Sequence, residues 1–77
     1  MNPHKRIKIR HLQNFLEVAQ QRSVMKAALS LSITQPAVSK TLRELEEILE
    51  VKLFDRSKRG FSLTRFGEVF LRFASAS

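Results

Sequence analysis

One stretch of this 77-residue chain restricts its fold more than any other: residues 34–50, TQPAVSKTLRELEEILE. Val38, Leu42, Leu45 and Leu49 recur at i, i+4, i+7 and i+11, a spacing that lines one face of an α-helix. Thr34 can cap the first turn, and Pro36 sits where a missing N–H costs nothing. The opposite face changes character along its length. Gln35, Ser39, Lys40 and Arg43 make the first half polar and cationic. Glu44 and Glu47, with Glu46 and Glu50 at the flank, make the second half acidic. Such a helix can place its first turns in a DNA major groove while its tail stays clear of the phosphates.

A chain this short makes one small domain, and its core is marginal without a partner, a metal or disulfides. The sequence has no cysteine, which excludes disulfides and fits a reducing cytoplasm. His4 and His11 alone do not make a metal cluster, and no cofactor is expected. A partner is therefore the expected way to complete the core. No apolar run approaches the ~20 residues of a membrane span. The N-terminus lacks the apolar centre and small-residue cleavage site of a signal peptide.

Fourteen Lys and Arg stand against seven Asp and Glu, a net charge of +7 that points to a polyanion, nucleic acid before membrane. The excess is concentrated. Residues 5–10 carry Lys5, Arg6, Lys8 and Arg10 without an acid. Residues 52–65 carry Lys52, Arg56, Lys58, Arg59 and Arg65 against Asp55. Between these segments, four basic residues face five acidic ones. A single charge run is ordinarily a solubilising surface. Two runs bracketing a helix with a cationic tip favour nucleic acid.

Around the 34–50 helix the remaining elements follow in order. Residues 1–8 form a basic arm. Ile9, Leu12, Phe15, Leu16 and Ala19 predict a first helix reaching about Arg22. Ser23 caps a second, short helix through Leu31, with Ala27, Ala28 and Leu31 inward. A tight turn with Ile33 as its buried anchor then leads into the 34–50 helix, a helix-turn-helix arrangement. Val51, Leu53 and Phe54, then Phe61 and Leu63, predict a short hairpin whose tip is Asp55-Arg56-Ser57-Lys58-Arg59-Gly60. Thr64 caps a last helix with a stripe of Phe66, Val69, Phe70, Phe73 and Ala74; Gly67 inside it weakens it by ~1 kcal/mol relative to alanine. The fold class is mainly α: a winged helix-turn-helix over 9–63 with a three-helix core, followed over 64–77 by the start of a linker or dimerisation helix. The stripe is still running at Ser77, so a longer protein is expected.

Read together, these residues resemble the DNA-binding region of LysR-type transcriptional regulators. The resemblance rests on Ser23, Ala27-Ala28, Leu31, Thr34-Gln35-Pro36-Ala37-Val38-Ser39, Leu42, Leu45-Glu46, Leu49, Leu53-Phe54, Arg56, Arg59-Gly60, Leu63-Thr64 and Gly67, nearly the whole chain. RIKIRHLQNFLEVA and QPAVSKTLRELE look most like regulators of protocatechuate and related aromatic-acid catabolism. The resemblance implies a bacterial regulator that binds DNA as a dimer or tetramer, pairs through the last helix, and senses a small-molecule effector in a C-terminal domain beyond this chain. One position departs from the family: Glu50 stands where glycine is usual. Either the backbone there is left-handed, at a cost of about 1 kcal/mol, or the helix ends differently.

The expected function is sequence-specific binding of double-stranded DNA, at an inverted-repeat operator, by a homodimer. Gln35 suits adenine and Lys40 guanine; Pro36 and Ala37 can touch thymine methyls, and Ser39 serves either base type. Arg43 adds charge to the same face. Lys26, Thr34 and Thr64 suit phosphates, and Arg56 and Arg59 the minor groove beside the wing. For Pro36 and Ala37, plain first-turn geometry explains the residues equally well. Phe66, Phe70 and Phe73 are the candidates for dimerisation. An enzyme is not expected, because no spacing assembles nucleophile, base and orienting group, and no phosphate loop is present. The rival is a basic membrane-surface or protein-interaction module, which would want cations along a whole helix face.

Overall fold

The computed structural model describes residues 6–57 and 60–76. Four helices follow one another: α1 Ile9–Gln21, α2 Val24–Leu31, α3 Gln35–Leu49 and α4 Arg65–Ser75. The first three pack on one another, and α4 returns against α1. Phe15 and Val18 of α1, Ala27 and Ala28 of α2, Val38, Leu42 and Leu45 of α3, and Leu53 form one buried cluster. The paired alanines are the buried residues of α2 in this cluster. The expected α3 stripe is buried through Leu45, while Leu49 is half-buried; Ile48, off that stripe, is buried as well.

Three helices end on a left-handed residue that is not glycine: Arg22 (φ 54°), Ser32 (φ 57°) and Glu50 (φ 58°). These conformations let the last carbonyls of each helix find donors. The Ile33 N–H reaches the Ala28 carbonyl, and the Val51 N–H reaches that of Glu46. Glu50 thus takes the left-handed alternative. The reversal at Ser32 also corrects an expectation: Ile33 closes the turn through its backbone and stays 41% exposed instead of anchoring it.

The N-terminal boundary moves as well. Ile9 was expected inside but is 72% exposed, and Ile7 packs on the core in its place. Of the basic arm, residues 1–5 lie outside the described residues.

The expected hairpin is reduced to a single antiparallel bridge, Phe54 with Leu63, flanked by Asp55 N–H to the Ser62 carbonyl and Thr64 N–H to the Leu53 carbonyl, both 3.0 Å. No strand forms among the described residues. A competing acceptor supplies the reason. The Leu53 and Phe54 N–H groups donate to one carboxylate oxygen of Glu46, at 2.7 and 3.4 Å, so the Leu53 N–H is not available to the Thr64 carbonyl across the bridge. At the other end, Asp55 accepts from the Ser57 N–H and turns the chain.

The packed line of α4 also differs from the expected stripe. Gly67 and Ala74 are buried, Phe70 and Leu71 are half-buried, and Phe66, Val69 and Phe73 are exposed. Gly67 is the reason. A Cβ there would lie 2.1 Å from the Leu53 carbonyl oxygen, so only glycine permits this approach.

Candidate nucleic-acid interface

Thr34 ends the preceding turn and caps the exposed first turn of α3. Its hydroxyl oxygen accepts from the Ala37 N–H at 3.2 Å. Gln35, Pro36, Lys40 and Arg43 are exposed along this end, with Ala37 and Ser39 half-buried beside them. Lys26 is exposed on α2, whose cap is Ser23, accepting from the Lys26 N–H at 3.1 Å. A groove of about 320 Å³ separates α3 from the residues after Phe54; Ser39 and Arg56 both line it. The structure therefore brings Ser39 of α3 and Arg56 to one groove, while Arg43 lines another with Lys52. Arg59 and Lys58 lie outside the described residues.

The acidic end of α3 needs correction. Glu46 is not a solvated flank: it is 4% exposed. One carboxylate oxygen takes the two backbone N–H groups after α3, and the other stands 3.8 Å from the Arg56 guanidinium. The end of α3 and the segment that follows it are thus joined through one side chain, with Arg56 beside it. A sequence signal existed: Glu46 lies at i+4 from Leu42, on the edge of the apolar stripe, where a solvated acid is out of place.

Glu44 is also engaged. It accepts from the ring of His11, at 3.2 Å, and lies 3.5 Å from Arg10, both on α1. His11 is 2% exposed, and its Nδ1 accepts from the Lys8 N–H at 2.9 Å. The ring proton therefore sits on Nε2 and points at Glu44. The His11 hydrogen bond, opposed by desolvation and aided by the Arg10 charge, lowers the Glu44 carboxyl below its ordinary range. This network fixes α3 against the start of α1.

Thr64, expected at a phosphate, is half-buried and hydrogen-bonded within the protein. Its hydroxyl donates to the Lys52 carbonyl at 2.6 Å and accepts from the Gly67 N–H at 3.0 Å, so its proton is already used. The three phenylalanines of α4 divide. Phe70 packs edge-on against Phe15 of the core, with centroids 5.1 Å apart. Phe66 and Phe73 line an apolar groove of about 500 Å³ with Leu49, Val51 and Val69.

Residues 9–68 match the family model described as bacterial regulatory helix-turn-helix protein, lysR family. The chain belongs to that family. It is 58% identical over 73 residues to the HTH-type transcriptional regulator PcaQ of Agrobacterium fabrum, covering 95% of this chain and 24% of the relative. It is 49% identical over 70 residues to the regulator YdcI of Escherichia coli, covering 91% and 23%. The chain thus spans about a quarter of the length of these relatives. The BenM DBD in its catB site 1 DNA complex superposes with a TM-score of 0.87 at 36% identity, over 91% of this chain and 79% of that one. Oxidized OxyR of Corynebacterium glutamicum gives a TM-score of 0.89 at 37% identity, over 97% and 23%. The family is one of regulators and not of enzymes.

Proposed function

We propose that this chain is the DNA-reading part of a bacterial transcriptional regulator, with the first turns of α3 in the major groove of an operator. The observation that carries this reading is the exposed polar end of α3. Gln35, Lys40 and Arg43 are exposed there, as are Lys26 on α2 and Arg56 in the segment after α3. In this arrangement Gln35, Pro36, Ala37, Ser39 and Lys40 meet base edges, while Lys26, Thr34 and Arg43 meet phosphates. Arg56 and Arg59 reach the adjacent minor groove. The DNA complex named for BenM, on a domain of the same fold, supports the reading.

The assembly follows from the groove on α4. A second copy of the chain covers Phe66 and Phe73, which presents two α3 helices to an inverted repeat. A small-molecule effector acts through the part of the protein beyond this chain. The likeness of RIKIRHLQNFLEVA and QPAVSKTLRELE to protocatechuate-type regulators supports control of an aromatic-acid catabolic operon. A cytoplasmic location accords with access to DNA and the absence of cysteine. Among the described residues, no helix is long and apolar enough to cross a membrane.

Footprinting of the purified domain on genomic fragments, beside binding to anionic vesicles, tests the function directly. Duplex protection without vesicle binding is expected; vesicle binding alone would establish the membrane-surface rival. On the protected site, Gln35→Ala should cost roughly 1–3 kcal/mol and change binding to random duplex little. Equal losses on both would show that Gln35 reads no base.

A further inference from the structure

Arg22 ends α1, with its N–H bonded to the Val18 carbonyl at 2.8 Å and its backbone left-handed at φ 54°. Strain alone does not single it out, since Ser32 and Glu50 share that conformation. Its surroundings do. The guanidinium lies 5.2 Å from the centroid of the Phe61 ring, within cation–π range. Phe61 stands edge-on to Phe54, at 5.9 Å, and Phe54 packs on Phe15 of the core, at 5.6 Å. The exposed cation therefore rests on an aromatic column rooted in the interior. It also lines the groove that contains Ser39 and Arg56. Asp55 shares this groove, with one carboxylate oxygen turned to the Ser57 N–H and hydroxyl.

We propose that Arg22 is a phosphodiester-gripping residue of the DNA interface, held ready by Phe61. A cation–π contact is made through the charge over the ring and spends none of the guanidinium's hydrogen-bond donors, which can then meet two oxygens of one phosphate. The side chain lines the same groove as Ser39 of α3 and Arg56, so it grips the backbone strand that passes over that groove. A lysine there supplies charge but neither the stack nor the planar fork. The inference rests on the DNA-binding reading given above.

The test uses Arg22→Gly, Arg22→Lys and Phe61→Leu, with thermal melts and duplex affinities from about 50 to about 200 mM salt. Glycine relaxes the left-handed turn, so Arg22→Gly should melt at or above the wild-type temperature. Its affinity should nevertheless fall about tenfold, and its log–log salt slope should flatten by about 0.9, the signature of one lost phosphate contact. The loss should be the same on the operator and on random duplex, because a phosphate contact carries no sequence information. Arg22→Lys and Phe61→Leu should each lose affinity severalfold with the slope retained. Wild-type affinity and slope in Arg22→Gly would overturn the proposal while leaving DNA binding intact. A loss confined to the operator would overturn the phosphate assignment. A wild-type domain that binds no duplex would overturn the underlying reading and this proposal with it.

Discussion

Single residues set two of the strongest constraints, and both concern where glycine stands. Glu50 holds φ 58°, a conformation in which Cβ crowds the backbone and glycine is relaxed. Glu50→Gly is therefore expected to stabilise the domain by about 1 kcal/mol and raise its melting temperature by roughly 4–8 °C. A lower melting temperature would show that the Glu50 side chain contributes more than its backbone strain removes. Gly67 is the opposite case. It lies in the first turns of α4, where alanine is the better helix former, yet a methyl group there would meet the Leu53 carbonyl oxygen at 2.1 Å. Gly67→Ala should destabilise by about 1–3 kcal/mol through overpacking, despite its gain in helix propensity. A denaturant titration that found the variant at least as stable as wild type would refute this close approach.

At the scale of one element, α3 is defined as much by its inner acids as by its exposed tip. Glu44 couples it to α1 through His11 and Arg10, and Glu46 couples it to the chain that follows. The Glu44 carboxyl is lowered in the folded state, chiefly by the His11 hydrogen bond. Folding then favours the ionised form. The resulting stability is present in full above the ordinary carboxylate value of about 4.3 and is lost as pH falls through the lowered folded value. Glu44→Gln lacks this contribution at every pH. The stability difference between wild type and Glu44→Gln should accordingly shrink as pH falls from the ordinary carboxylate value through the lowered folded value. Urea titrations at successive pH values measure it, and a difference independent of pH would refute the coupling.

For the whole molecule, the open question is what covers α4. Phe70 is already committed to Phe15, so a charge there would damage the core as well as any interface. Phe73, at 68% exposed, is the cleaner probe. Burying one phenylalanine contributes on the order of 1.5–3 kcal/mol, which is large for a domain of this size. Phe73→Glu should therefore give a folded monomer that binds an inverted repeat much more weakly, while its binding to an isolated half-site changes little. Half-sites about 34 Å apart, or a multiple, are expected for a twofold pair of α3 helices. Sedimentation showing a monomeric wild type on the full repeat would overturn the assembly.

The sequence alone determined what local chemistry decides. Helical spacing located all four helices, Ser23, Thr34 and Thr64 marked three of their starts, and the polar tip of α3 was legible because an exposed face needs no knowledge of its neighbours. Tertiary structure decided what depends on a distant partner. It buried Glu46 against the two N–H groups that follow α3, which takes the Leu53 N–H out of any further pairing across the Phe54–Leu63 bridge. It exposed Ile9, because periodicity gives the phase of a helix but not how far its ends extend past the core, and Ile33, because the turn at Ser32 is closed by the Ile33 backbone and not by its side chain. It turned α4 so that Gly67 and Ala74 face inward and Phe66 and Phe73 outward, because the Leu53 carbonyl admits only a glycine at the closest approach. It set Arg22 on Phe61, a pairing across 39 residues that no local pattern encodes, because the contact exists only once α1 and the wing meet.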